Sequence, residues 1–112
     1  MAPGALRAFG FDEQGFKAMQ IPVYLMTGAG DTTLPLVDNA GYAAKYLPQG
    51  KLYVIPGAVG HEIFLNECDK EGKAEFPKAC VDAKSVNRKK VHELIAQKAL
   101  AFFNTNMKKS PE

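Results

Sequence analysis

The chain has almost no serine: Ser85 and Ser110 are the only two in 112 residues, and no G-x-S-x-G occurs. It therefore carries no nucleophile elbow of its own. Histidine is as scarce, with only His61 and His92, and the positions four residues after them are Leu65 and Ala96. That spacing excludes a zincin helix. Cys68 and Cys80 form no C-x-x-C and have no histidine pair beside them, a poor basis for a metal site. Gly28-Ala29-Gly30 is followed by Thr33 where a dinucleotide fingerprint needs glycine, so neither nicotinamide nor flavin is expected. No cofactor is expected at all. No apolar run is long enough to span a bilayer, and Met1-Ala2-Pro3-Gly4 lacks the basic region and apolar core of a signal peptide. The net charge of +2 comes from interspersed signs, apart from Arg88-Lys89-Lys90 and Lys108-Lys109. With no basic stripe alternating with aromatics, nucleic acid is not an expected partner. Internal repeats and low-complexity segments are also missing.

What is present is an ordinary globular composition, 46% apolar and 23% charged, enough to bury a core in a single domain over residues 1–112. Residues 1–20 read as a loop with a short helical turn near 12–18. Two apolar runs read as strands, about 22–27 and 51–55, the first closed by Gly28 and Gly30 and the second by Pro56-Gly57. Between them, residues 35–47 carry Val37, Ala40, Ala44 and Leu47 at helical spacing, with Pro35 suited to a first turn. Gly41 weakens that helix by about 1 kcal/mol relative to alanine. Residues 62–84 read as a long irregular loop and 86–104 as the clearest helix. There Val91, Leu94, Ile95, Ala99, Phe102 and Phe103 form an apolar stripe, while Arg88, Lys89, Glu93, Gln97 and Lys98 fall largely on the other side. Residues 105–112 read as a flexible tail. The fold class is α/β, a short parallel sheet with flanking helices.

Strand, helix, strand means a crossover to a parallel strand, so both runs end at the same edge of one sheet. Asp31 follows the first and His61 the second. Singly, an Asp after a strand is a turn or cap residue and a His after glycine a loop hydrogen-bond donor. Together, in this order and at one edge, they match the acid and base of a Ser, Asp, His triad. Gly28, Gly30, Gly57 and Gly60 allow the sharp turns such a site needs. His92 reads as a partly exposed helix residue rather than a ligand, and Phe102-Phe103 as core.

The stretches from Ile21-Pro22-Val23 to Gly30-Asp31 and from Gly57-Ala58-Val59-Gly60-His61 to Phe64, with the closing Phe102-Phe103, resemble the C-terminal third of an α/β-hydrolase. More narrowly, they are similar to the dienelactone hydrolases related to platelet-activating factor acetylhydrolase. In that group the histidine loop is followed by a cysteine-containing excursion and a helix with an Arg and a His near its start, as Cys68, Cys80, Arg88 and His92 stand here. The resemblance covers about residues 20–104. It implies Asp31 as triad acid, His61 as triad base, and hydrolysis of a small-molecule carboxylic ester or lactone through an acyl-enzyme without cofactor. The elbow serine and oxyanion-hole segments that precede this region in the family are missing, so the chain alone is expected to be inactive. The alternative is a non-catalytic α/β module that binds or assembles through its surface.

For Cys68 and Cys80 three arrangements are open: two separate thiols, a nucleophile, or a bridge. A nucleophile is the weakest, since both follow the histidine. A bridge would close about thirteen residues and contribute roughly 3 kcal/mol by loop entropy. It is the preferred arrangement, and it would place the parent protein in a periplasmic or secreted compartment. Two strands alone leave an exposed sheet edge, so self-association is expected too.

Overall fold

The computed structural model describes residues 11–107. The reading of residues 1–10 as loop, the end of the 105–112 tail and Ser110 lie outside them. Val23–Gly28 forms β1 and Gly50–Ile55 forms β2, paired in parallel with Val23 opposite Gly50 and Gly28 opposite Ile55. The result is a mixed α/β architecture built on a two-stranded parallel sheet with helices on both faces.

Side-chain alternation along a strand sends neighbours to opposite faces. Val23 and Leu25 of β1 pack on Phe16, Ala43 and Leu47. Phe16 belongs to α1, Glu13–Lys17, which Asp12 caps by accepting from the Gly15 N–H at 2.8 Å. Ala43 belongs to α2, Ala40–Tyr46. On the opposite face Tyr24 meets Phe102, with ring centroids 5.3 Å apart. Tyr53 joins Ile55, Val59, Ile63, Val86, Val91 and Ile95 in a second cluster there. Phe102, Val91 and Ile95 lie on α5, Arg88–Asn106, whose first turn is capped by Asn87 accepting from the Lys90 N–H at 3.1 Å.

Several boundaries differ from the sequence expectation. The helix expected over 35–47 is split: Leu36–Asp38 is a 3-10 turn and α2 starts at Ala40. Asn39 breaks the path with φ −128° and ψ −105°, while its amide donates to the Pro35 carbonyl at 2.8 Å. Gly41 is not simply a weak helix residue, because a Cβ there would stand 2.6 Å from the Leu36 carbonyl oxygen. The absence of a side chain lets the 3-10 turn lie against α2. The stretch 62–84 is not an irregular loop throughout. It holds part of a 3-10 turn, His61–Phe64, then α3, Lys70–Glu75, and α4, Pro77–Cys80. The last helix starts at 88 rather than 86 and runs through Thr105 and Asn106, which the expected tail had claimed.

Cys68 and Cys80 are bridged, with Cα atoms 5.6 Å apart. The bridge ties the start of α3 to the end of α4, two helices too short to persist alone. Reduction, or paired Cys68→Ser and Cys80→Ser substitution, is expected to remove about 3 kcal/mol by the loop-entropy relation. A thermal melt with and without reductant measures this, and an unchanged midpoint would contradict it. Among the described residues no helix is long and apolar enough to cross a membrane.

Candidate active site

The ends of β1 and β2 approach each other closely. The Ala29 N–H donates to the Ile55 carbonyl at 2.8 Å, prolonging the ladder by one bond, and the Gly30 N–H donates to the Val59 carbonyl at 2.9 Å. A Cβ on Gly28 would clash with that same Val59 carbonyl oxygen, and one on Gly30 would stand 3.1 Å from it. Glycine at these two positions is what lets the loop after β1 meet the loop after β2. The sharp turn out of β2 uses Gly57 at φ +91°, a conformation that side chains with a Cβ disfavour.

That approach brings together the two residues singled out from the sequence. Asp31 Oδ2 lies 2.9 Å from His61 Nδ1. The other carboxylate oxygen, Oδ1, accepts from the backbone N–H groups of Thr33 at 3.0 Å and Leu34 at 2.8 Å. The Asp31 side chain is 5% exposed and its orientation is set by three hydrogen bonds, whereas the His61 side chain is 29% exposed. A carboxylate can only accept when ionised, so the Nδ1 of His61 carries the hydrogen in this pair. In the neutral imidazole Nε2 is then the acceptor, which is the proton-taking arrangement of a general base.

Asp31 and His61 line a groove of about 500 Å³ whose other walls include Tyr24, Met26, Phe64, Ile95 and Phe102. Phe103 borders it and is 52% exposed, so the aromatic pair expected as core is only partly covered. Ser85 instead borders a second cavity, of about 630 Å³, beside Cys80 and Arg88. His61 does not line that cavity. Among the described residues no group of three or more His, Cys, Asp or Glu is gathered to hold a metal ion.

Arg88 is where the sequence misled. Expected on the polar face of its helix, it is 6% exposed. Its Nε and Nη2 donate to the two carboxylate oxygens of Asp82, each at 2.8 Å, and Nη2 also donates to the Ala79 carbonyl at 2.9 Å. Nη1 reaches the Asn66 carbonyl at 3.4 Å. The Asp82 hydrogen bond holds the guanidinium pKa above its ordinary value, with burial opposing. One turn further along, His92 Nε2 lies 2.6 Å from the Ile63 carbonyl oxygen. An acidic residue six positions before a helical arginine, at the far side of a tight connection, was the one available sequence signal for the Arg88 pair.

Comparison with family models, with curated proteins and with solved structures brought out no match to this chain.

Proposed function

We propose that this chain is the acid- and base-bearing C-terminal portion of a serine-dependent carboxylic ester or lactone hydrolase of α/β-hydrolase type. The observation that carries this is the 2.9 Å contact from His61 Nδ1 to a buried, doubly anchored Asp31 at the sheet edge where two parallel strands end. A binding module has no chemical need to hold a carboxylate against one imidazole nitrogen and leave the other as acceptor.

In the complete site a serine hydroxyl brought to His61 Nε2 would give up its proton there as its oxygen bonds to the ester carbonyl carbon. Collapse of the tetrahedral intermediate breaks the bond to the leaving alkoxide, which takes the proton from Nε2. Water then repeats the sequence on the acyl-enzyme, releasing the acid and restoring the serine. Asp31 keeps the imidazole in the required tautomer and stabilises the imidazolium in each half. The disulfide fits an oxidising compartment for the parent protein.

Two measurements test this. With p-nitrophenyl acetate and butyrate, the chain and its His61→Ala variant are expected to release product at the same background rate, since Ser85 does not share the groove of His61. Turnover that is lost in His61→Ala would place the nucleophile inside this chain and overturn the division proposed. The second is the tautomer of His61 by ¹⁵N NMR. Nδ1–H in the parent and its loss in Asp31→Asn supports the acid–base pair, and Nε2–H in the parent sinks it.

The alternative of a self-assembling module is favoured by one observation: β1 has no neighbour on its outer edge among the described residues, and that edge borders an apolar groove. Sedimentation velocity over a concentration series decides whether copies associate there.

A further inference from the structure

We propose that His92 is a positioning residue for His61, acting through the carbonyl of Ile63. The proposal rests on Asp31 and His61 being a working acid–base pair.

The two halves of the pair are secured very differently. Asp31 is fixed locally, by the Thr33 and Leu34 N–H groups on its free oxygen. His61 has no such local support. It opens the 3-10 turn His61–Phe64, where the backbone bond at its start, from the Ile63 N–H to the Gly60 carbonyl, is long at 3.4 Å, while the one at its end, from the Leu65 N–H to the Glu62 carbonyl, is 3.0 Å. Gly60 before it makes no side-chain cap bond and offers no Cβ contact to restrain the approach. The bond nearer His61 is the longer of these two, and a 3-10 turn does not define a side-chain direction by itself.

The stronger restraint comes from α5. His92 Nε2 meets the Ile63 carbonyl at 2.6 Å, shorter than either of those backbone bonds. A carbonyl oxygen only accepts, so the hydrogen belongs to His92 Nε2. Ile63 is 1% exposed and wedged against Ile55 and Val59, so its side chain holds one side of the residue while His92 holds the other. Once both are fixed, the backbone two residues earlier is fixed too, and with it the direction from which the His61 ring reaches Asp31. Without the donor, the Ile63 carbonyl must turn to find another partner. That rotation moves the turn, and a carboxylate already committed to Thr33 and Leu34 does not follow.

The test reads the imidazole itself. A histidine without a directing partner favours the Nε2–H tautomer, whereas a carboxylate on Nδ1 selects Nδ1–H. Uniformly ¹⁵N-labelled chain is compared at about pH 8.5, two units above the ordinary imidazole pKa of ~6.5, with His92→Met, His92→Gln and Asp31→Asn. Met keeps the length but has no donor, whereas Gln restores an N–H at similar reach. The expected result is a dominant Nδ1–H signal for His61 in the parent, a severalfold loss of it in His92→Met approaching Asp31→Asn, and recovery of most of it in His92→Gln. A merely structural histidine would lower the melting temperature in His92→Met and leave the tautomer ratio alone, which would overturn the proposal while the Asp31–His61 pair stands. Nε2–H in the parent would overturn both. If His92→Met does not fold, His92→Leu takes its place as the donor-less variant: loss of the Nδ1–H signal in a folded protein supports the donor role, and its retention overturns it.

Discussion

Gly28→Ala is expected to cost about 3 kcal/mol or more, at or beyond the upper end for an overpacked site. The added methyl group has nowhere to go. It would clash with the Val59 carbonyl oxygen and stand 2.8 Å from the Val59 carbonyl carbon and 2.9 Å from its Cγ1. Two of these three atoms are backbone, so no rotamer change relieves the clash, and either β1 or the loop after β2 has to move. Since the Gly30 N–H bonds that same carbonyl, the movement also separates Asp31 from His61. Gly60→Ala is the matched control, because no atom lies within 4 Å of a Cβ there and φ is −89°. It is expected to stay within about 0.5 kcal/mol of the parent. Urea titration of both variants measures the difference, and equal midpoints would refute the close approach as the reason for glycine.

Arg88→Ala is the second large effect, with an expected loss of about 3 kcal/mol, the lower end for breaking a buried ion pair because Asp82 keeps some water contact. The Asp82 side chain is 18% exposed against 5% for Arg88. Removing the guanidinium strands a carboxylate and the carbonyls of Ala79 and Asn66 together. Arg88→Lys keeps the charge without the planar fork, so it is expected to recover less than half of the loss. In a double-mutant cycle, Asp82→Asn should make Arg88→Ala markedly cheaper, since no lone charge remains. Additive effects in that cycle would show that the pair is not coupled. The Asp82 hydrogen bond raises the guanidinium pKa in the folded chain, so deprotonation of Arg88 takes nothing from stability below arginine's ordinary pKa. No loss through this group is expected between mildly acidic and mildly alkaline conditions.

Much of this architecture is legible in the residues because strands and amphipathic helices announce themselves through apolar periodicity. Val23–Gly28, Gly50–Ile55 and most of Arg88–Asn106 follow from it within two residues at each end. Asp31 and His61 are legible for a topological reason: each stands just past a strand, beside glycines, and parallel strands end together. The segment between His61 and α5 is hidden because its organisation is not apolar. Its helices have six and four residues, and what holds them is a disulfide and one arginine fork. Periodicity places Arg88 beside other cations on a polar face. Only the partner across the connection, Asp82, turns it inward. The split at Asn39 is hidden for a similar reason, since a side-chain amide bonding Pro35 competes with helix continuation and leaves the apolar spacing intact.

The separation of the paired side chains along the chain has a kinetic meaning. Asp31 and His61 are 30 positions apart, so their hydrogen bond requires the whole crossover to close, with its loop entropy already spent. The disulfide closes over a separation of 12 and the Arg88 fork reaches back 6, so both can be organised within the 68–88 neighbourhood while the strands are still apart. The scaffold that receives His61 can therefore assemble ahead of the acid it serves. By loop entropy, the Asp31–His61 contact carries the largest closure cost of the three.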